Sequence, residues 1–246
     1  IMRQSRLQKR LRALNMTNFK EYCDFVFSDE GKDIEVIHMI DVVSTNKTDF
    51  FREPGHFDFL NESALPELIS DKGARKQLKV WSAGCSSGEE VYTLAMTFEE
   101  YKNDQPNFEY SIMGSDISTQ ILNQALSAIY KEVKIELVPM SIKKKYFLRS
   151  KDRNNPTVRL IPSIRKKVVF KRINFMDTYY DVHDKFDIIF CRNVLIYFDR
   201  PTQENVIRKL CQHLKPEGFF FLGHSESITG FNLPLKQIKP TIFKKI

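Results

Sequence analysis

The chain has 246 residues, of which 42% are hydrophobic and 28% charged. This composition excludes a disordered or collagen-like chain and suffices for one large domain with a small second unit. No apolar run approaches the roughly 18 residues of a membrane helix, so we expect no membrane insertion. The basic first residues do not resemble a secretory signal, and the chain begins inside a predicted helix, so we expect a truncated helical domain.

The cysteines and the net charge restrict the compartment and the partner. The four cysteines lie far apart, without a Cys-x-x-Cys pair, which predicts reduced thiols in a cytoplasmic protein and no zinc site. The net charge of +7 favours an acidic partner. The basic residues that precede the first acidic residue, Glu21, are Arg3, Arg6, Lys9, Arg10, Arg12 and Lys20. They form either a solvated helix face or a binding surface.

Helical spacing of apolar residues in 5–14, 19–27 and 33–43 predicts an N-terminal helical domain over residues 1–44. A polar connecting segment, residues 45–60, follows it and contains the turn-forming Pro54 and Gly55.

Residues 61–246 alternate between strand and helix patterns. The unbroken hydrophobic run 186–191 is typical of a strand covered on both faces. We therefore predict an α/β fold with a doubly wound, mostly parallel sheet. Its strands are predicted at 78–83, 110–114, 168–173, 186–191 and 218–222, and its helices at 89–101, 118–129 and 202–214.

Residues 130–167 do not fit this alternation. They contain three consecutive lysines, 143–145, and two short strand patterns, 157–161 and 167–170. We expect a small inserted subdomain with a helix and antiparallel strands. Long connections of this kind are often functional, so partner binding remains an alternative to a structural role.

A glycine-rich turn between the first strand and its helix carries the strongest chemical pattern. Gly84 and Gly88 have Gly-x-x-x-Gly spacing, which differs from the dinucleotide and phosphate-loop patterns. Glu89 and Glu90 open the helix, where carboxylates would repel a pyrophosphate and attract an ammonium group. A purely structural tight turn remains an alternative.

Asp116 ends the second strand, where doubly wound folds place an acid that binds ribose hydroxyls. Taken alone, it could equally be the N-cap of the next helix. With the glycine turn, it favours a ligand that has a ribose and an ammonium group but no phosphate. S-adenosylmethionine has these properties.

The end of the fourth predicted strand, residues 190–199, argues against nucleic-acid methylation. It lacks the Asn/Asp-Pro-Pro-aromatic turn of amino-group methylation, and no proline precedes Cys191. We therefore expect no nucleic-acid partner.

Five ordered motifs resemble the CheR family of chemotaxis receptor methyltransferases. They are residues 45–53, 84–92, 115–117, 191–199 and 223–227. The resemblance implies a class I methyltransferase with a seven-stranded, Rossmann-like sheet. It also implies methyl transfer from S-adenosylmethionine to glutamate side chains of a chemoreceptor cytoplasmic domain. The products would be glutamate methyl esters and S-adenosyl-L-homocysteine.

The same resemblance implies a cofactor site. Residues of the connecting segment would line it, Glu89 would hold the ammonium group, and Asp116 would hold the ribose. Asn174 and Phe175 would flank the adenine. The full implied set is Asn46, Thr48, Arg52, Gly84, Glu89, Asp116, Asn174, Phe175, Arg192 and Asn193.

Arg52 and Tyr197 are the two catalytic side chains that the resemblance implies, beside the sulfonium. A surface ion pair for Arg52 and core packing for Tyr197 are the structural alternatives. We expect His224 to be structural.

The implied partner is an acidic receptor helix bundle, met by the basic helix with Arg3, Arg6, Lys9, Arg10 and Arg12. Some members of the family also bind a pentapeptide at the receptor tail through a glycine-rich loop of the insertion. Residues 150–156 contain no glycine, so we expect no such dependence. A noncatalytic S-adenosylmethionine-binding signalling protein and an RNA methyltransferase are the rival functions.

Overall fold

The computed structural model describes residues 2–32, 34–44, 46–70, 77–105 and 108–246. Asp33, at the start of the third predicted helix, and Thr45, the first residue of the first motif, lie outside them. The side chain of Arg3 is also outside the described part of the chain. The helices with α geometry are α1 Met2–Ala13, α2 Phe19–Val26, α3 Glu35–Val43, α4 Gly55–Phe59, α5 Leu65–Ser70, α6 Glu89–Asp104, α7 Thr119–Ser127, α8 Met140–Tyr146, α9 Pro162–Arg165 and α10 Arg200–His213.

The strands are β1 Gln77–Ala83, β2 Glu109–Asp116, β3 Ile129–Lys131, β4 Phe147–Arg149, β5 Thr157–Leu160, β6 Val168–Arg172, β7 Phe186–Cys191, β8 Leu214–Leu222, β9 Leu235–Lys239 and β10 Ile242–Lys245. Seven of them form one sheet in the order β6-β2-β1-β7-β8-β10-β9. Its strand pairs are parallel except those of β10, which is antiparallel to both neighbours. The predicted doubly wound, mostly parallel sheet is therefore confirmed.

Alternating side chains of the central strands enter two separate cores. In β7, Ile188 and Phe190 belong to one buried cluster, and Ile189 and Cys191 belong to the other. Helix α6 packs on the first face and α10 on the second. This two-sided burial explains why β7 reads as an unbroken hydrophobic run.

The N-terminal helices pack around Leu11, Tyr22 and Val26. Asn18 is the N-cap of α2 and accepts a hydrogen bond from the Glu21 amide at 2.9 Å. A capped start of this kind satisfies one of the amides that a helix leaves unpaired.

Two of the basic residues of the first helix, Arg6 and Arg10, make contacts inside the protein. Arg10 makes a two-pronged ion pair with Glu35, at 2.8 and 2.7 Å, and the Tyr22 hydroxyl donates to the same carboxylate at 2.8 Å. Burial raises the pKa of Glu35, but these bonds outweigh it and hold the pKa below its usual value. Arg6 donates to the carbonyls of Val43 and Ser44, at 3.0 and 2.9 Å. Lys9 and Arg12 are exposed.

The helical segment that begins near the end of the connecting segment and precedes β1 was not predicted. It runs from α4 through a π turn, Leu60–Ala64, into α5. The Leu65 amide bonds to the Leu60 carbonyl across the π turn, immediately before Pro66, which has no amide hydrogen to continue the pattern. Because a proline usually ends a helical pattern, the spacing of apolar residues alone does not predict a helix here.

The insertion contains a three-stranded antiparallel sheet in the order β3-β5-β4, with α8 between β3 and β4. The strand predicted at 167–170 is not part of it. That segment is β6, which pairs in parallel with β2 in the main sheet. The C-terminal pair β9 and β10 was also missed, because β9 is almost fully exposed and carries two lysines, and so lacks an apolar run.

The carboxyl ends of β1, β2, β6, β7 and β8 meet at one edge of the main sheet. The loops that follow these strands lie next to the connecting segment at this edge. Within the described ranges, every helix is too short or too polar to cross a bilayer.

A cleft at the carboxyl edge of the sheet

A cleft of about 710 Å³ lies at this edge, between the strand-end loops, the connecting segment and α1. Its volume is within the usual range for a small-molecule site. All the site residues predicted from the sequence line it except Glu89. They are Asn46, Thr48, Arg52, Gly84, Asp116, Asn174, Phe175, Arg192, Asn193 and Tyr197.

The glycine turn forms one wall with bare backbone. Gly84 has a φ of +80°, and a Cβ there would lie 2.4 Å from Cγ2 of Val194 in the loop after β7. The amides of Gly84 and Cys85 both donate to the Ser115 carbonyl, at 2.7 and 2.8 Å. A side chain at Gly84 would therefore force the loops after β1 and β7 apart.

Asp116 connects the glycine turn to the start of α7. Its carboxylate accepts hydrogen bonds from the amides of Ser86, at 2.9 Å, and Ser118, at 3.0 Å. Ser118 is the N-cap of α7, so the N-cap alternative for Asp116 is wrong. Burial raises the pKa of Asp116, and the backbone donors oppose this shift. Each carboxylate oxygen can still accept a second hydrogen bond.

The two acids at the start of α6 differ in position. Glu90 lines the cleft and accepts hydrogen bonds from the Ser82 hydroxyl, at 2.7 Å, and Arg192, at 3.1 Å. Glu89 is buried and accepts from the Ser87 hydroxyl at 2.6 Å, while its Oε1 lies 3.8 Å from Nζ of Lys134. Burial raises the pKa of both carboxyls. The acidic pair is recognisable in the sequence, and the assignment of the ammonium group to Glu89 stays a prediction.

Arg192 joins the connecting segment to the sheet. Its side chain is 1% exposed and makes ion pairs with Glu53, at 3.0 Å, and Glu90, at 3.1 Å. Nη2 also donates to the carbonyl of Arg52 at 2.5 Å. Burial raises the pKa of Glu53, but Arg192 and the hydrogen bond from Asn193 outweigh it, so the net shift is downward. Glu53 lies within a recognised motif, yet nothing in the sequence indicated its role.

The connecting segment is fixed at further points. The Ser86 hydroxyl donates to the Asn46 carbonyl at 3.2 Å, and Lys134 of the insertion donates to the Thr48 carbonyl at 2.8 Å. Arg52 donates to the Lys47 carbonyl at 3.0 Å. This backbone acceptor, rather than a carboxylate, holds the Arg52 guanidinium, so the alternative of a surface ion pair for Arg52 is not what positions it.

The opposite wall of the cleft follows β6. The Asn174 side-chain oxygen accepts from the Met176 amide at 3.0 Å, which folds this loop back on itself. Lys209 of α10 donates to the carbonyls of Phe175 and Asp177, each at 2.6 Å. The sequence analysis missed Lys209, because a lysine in an amphipathic helix reads as part of the solvated face.

Tyr197 lies at the mouth of the cleft and is 52% exposed, which excludes core packing. The backbone before it is held by Glu226, whose carboxylate accepts from four amides at 2.7 to 2.9 Å. The donors are Asn193, Val194, Leu195 and Gly223. Glu226 thus fastens the loop after β7 to the loop after β8. Its motif was recognised in the sequence, but not this role.

The parallel sheet, the glycine turn at Gly84 and the acid after β2 are the features from which the sequence predicts S-adenosylmethionine binding. A family model described as "CheR methyltransferase, SAM binding domain" matches residues 46–243, and one described as "CheR methyltransferase, all-alpha domain" matches residues 2–44. The chain belongs to the CheR methyltransferase family. The match to the SAM binding domain confirms the predicted cofactor, S-adenosylmethionine.

Curated relatives cover most of the chain. It is 42% identical to the "Chemotaxis protein methyltransferase" of Borreliella burgdorferi, over 98% of this chain and 85% of that protein. It is 35% identical to "Chemotaxis protein methyltransferase 2" of Pseudomonas aeruginosa, over 97% of this chain and 82% of the relative. It is 36% identical to the "Chemotaxis protein methyltransferase" of Escherichia coli, over 92% and 76% of the two chains.

The Glu226 contacts predict a specific defect in Glu226→Gln. One end of the glutamine is an NH₂ group, which would face two amide donors without an acceptor. The free energy of unfolding should fall by roughly 2 to 4 kcal/mol, the usual cost of two unpaired buried groups. Urea unfolding measures this change, and calorimetry with S-adenosyl-L-homocysteine should show weaker binding. Glu62→Gln, at an exposed position, is the control. Unchanged stability and affinity in Glu226→Gln would contradict the assignment.

Proposed function

We propose that this protein transfers the methyl group of S-adenosylmethionine to glutamate side chains of chemoreceptor cytoplasmic domains. The products are glutamate methyl esters and S-adenosyl-L-homocysteine, and the reaction takes place in the cytoplasm. Membership of the CheR family and the names of the curated relatives support this proposal. The observation that carries it is the arginine, Arg52, which lines a cleft whose mouth holds the exposed Tyr197. A cation there suits a carboxylate substrate.

The cleft suggests how the cofactor is held. Asp116 accepts hydrogen bonds from the ribose hydroxyls, and Asn174 and Phe175 flank the adenine. The ammonium group lies at the start of α6, where Oε1 of the buried Glu89 has no hydrogen-bond partner and can accept from it. Glu90 lines the cleft beside it and is paired with Arg192 and Ser82. Asn46, Thr48 and Gly84 supply the surrounding walls, and Arg192 and Asn193 hold the connecting segment over them.

The chain has little acid-base chemistry to perform. A glutamate carboxylate with a pKa of about 4.3 is already the nucleophile at neutral pH and needs no general base. When bound, S-adenosylmethionine supplies a methyl group on a positively charged sulfur. A carboxylate oxygen bonds to the methyl carbon as the carbon–sulfur bond breaks. The electron pair of the broken bond remains on sulfur.

Positioning is therefore the main task of the protein. Aligning the reacting atoms and excluding water can lower a barrier by roughly 7 to 11 kcal/mol. Arg52 and Tyr197 are placed to orient the carboxylate, with Arg52 held by the Lys47 carbonyl.

We expect Arg52→Ala to lower kcat for methyl transfer by roughly 100-fold, because small misalignments of reacting atoms cost this much. The protein should remain folded, since Arg52 is only partly buried. Initial rates of methyl transfer to a receptor cytoplasmic fragment give kcat and KM, and urea unfolding measures stability. Lys236→Ala removes one positive charge from the exposed strand β9 as a matched control. Full turnover with unchanged cofactor affinity in Arg52→Ala would show that Arg52 has no positioning role.

The function itself is tested by transfer of a labelled methyl group to a receptor cytoplasmic fragment. A glutamate methyl ester releases its label as methanol in mild alkali. Alkali-stable label on RNA would instead support an RNA methyltransferase. Cofactor binding without transfer to either acceptor would support a noncatalytic S-adenosylmethionine-binding protein.

We also propose that α1 attracts the acidic receptor through its exposed residues Lys9 and Arg12. Arg6 and Arg10 contribute to the structure instead, and the side chain of Arg3 is outside the described residues. Residues 150–156 contain no glycine, so the proposal does not include binding of a receptor tail peptide.

Reversing both charges, Lys9→Glu with Arg12→Glu, should raise KM for the receptor fragment by about tenfold at low salt. The difference should shrink as salt is added, because salt screens exposed charges. The control is a charge reversal away from α1, Lys236→Glu in the exposed strand β9. A KM that changes neither with the double reversal nor with salt would exclude this docking surface.

A further inference from the structure

Three potential metal ligands converge behind the connecting segment, outside the cleft lining. They are Glu53 from this segment, His56 from α4, and His224 from the loop after β8. Nδ1 of His56 lies 3.5 Å from Oε2 of Glu53, and Nε2 of His224 lies 3.9 Å from the same oxygen. The three ligand atoms all lie within 4.8 Å of one another.

The buried member of this cluster has an unsatisfied nitrogen. The side chain of His56 is 2% exposed, and its Nδ1 has no hydrogen-bond partner. The other ring nitrogen, Nε2, is 2.8 Å from the Thr241 hydroxyl, which donates its single hydrogen to the Pro240 carbonyl at 2.7 Å. When the Thr241 hydroxyl makes that bond, Nε2 carries the ring hydrogen and donates it to Thr241, and Nδ1 is left with a lone pair.

A lone pair that faces a carboxylate across 3.5 Å is unfavourable unless a cation lies between them. The neutral imidazole is the form of histidine that binds metals. The hydrogen bond of His56 to Thr241 fixes the ring as the outer partners of metal-binding histidines do.

We propose that Glu53, His56 and His224 bind a divalent transition-metal ion, and that Zn²⁺ fits them best. Two imidazoles and one carboxylate are a known zinc ligand set, with a fourth position left for water. Tetrahedral bonds of about 2.1 Å place ligand atoms roughly 3.4 Å apart, close to the 3.5 Å between His56 and Glu53. His224 is 61% exposed and can move the short distance that remains.

Arg192 shares the Glu53 carboxylate, and its charge sets the strength of the site. Oε2 of Glu53 accepts from Nε and Nη2 of Arg192, at 3.3 and 3.0 Å, and from the His224 amide at 3.3 Å, so a metal ion must displace part of this hydrogen bonding. Glu90 pairs with the same guanidinium at 3.1 Å, so two carboxylates face one arginine. Repulsion from Arg192 nonetheless predicts micromolar rather than tighter affinity. The bound ion would connect Glu53, the residue next to Arg52, to α4 and to the loop after β8.

The test is titration of the full chain, free of purification tags and stripped of metal, with Zn²⁺ in a calorimeter near neutral pH. Cys23→Ser serves as the background, because Cys23 is an exposed thiol. We expect one equivalent to bind, and Co²⁺ to give the visible absorption of a four-coordinate site. His224→Ala should weaken binding more than tenfold. His183→Ala, which removes a histidine that is 98% exposed, should leave binding unchanged.

A second variant tests the orientation of His56 without removing a ligand. Thr241→Val deletes the acceptor of the Nε2 hydrogen and should weaken Zn²⁺ binding by roughly 10- to 100-fold. Failure of Zn²⁺ and Co²⁺ to bind the folded chain would overturn the proposal. Binding that is equally strong in His224→Ala would overturn it too. Neither readout depends on methyl transfer, so the site can fail while the proposed function stands.

Discussion

The buried guanidinium of Arg192 is the constraint on which the cleft depends. A charge with 1% exposure must be paired, because an unpaired buried ion costs several kcal/mol. Its partners are Glu90 of the sheet unit and Glu53 with the Arg52 carbonyl of the connecting segment. The segment can satisfy Arg192 only by lying over the carboxyl edge of the sheet. This ion-pair network therefore holds the connecting segment in place as one wall of the cleft.

The helical domain is also part of the site. Arg6, Leu7 and Val43 contribute to the cleft lining. Arg6 holds the carbonyls of Val43 and Ser44, where the helical domain ends. The Arg10–Glu35 pair, with the Tyr22 hydroxyl, fixes α1 against α3 and so sets the position of this wall. Charges that read as a surface in the sequence thus hold two helices together.

Much of the fold could be predicted, because its signals are local. Strands covered on both faces give unbroken apolar runs, as in β7, and the glycine turn has a distinctive spacing. The exposed strand β9 has no such run, and Pro66 conceals the helical segment before β1. The main-sheet strand predicted at 168–173 is present as β6, but periodicity could not exclude the overlapping strand predicted at 167–170 in the insertion, since strand pairing depends on residues far away in the chain.

The cleft residues show the same division. The residues within family motifs were located, but the contacts that hold them in place were not. Glu226 accepts hydrogen bonds from amides some thirty residues earlier in the chain, and Lys209 donates to carbonyls at a similar separation. Glu89 and Glu90 are neighbours, yet one helical step of about 100° gives them different surroundings. A sequence alone does not reveal which of two adjacent carboxylates faces a cleft.

Lys134 has a consequence for how variants of this protein are interpreted. It belongs to the insertion, lies outside the cleft lining, and donates to the Thr48 carbonyl. Replacing it would disturb the backbone that carries the cleft wall and would remove the cation 3.8 Å from Glu89, while leaving every lining side chain intact. Slower catalysis in such a variant would resemble the loss of a docking surface on the insertion, although its origin would lie in the cleft. Mutational maps of the insertion therefore need a cofactor-affinity measurement beside each activity value to separate the two causes.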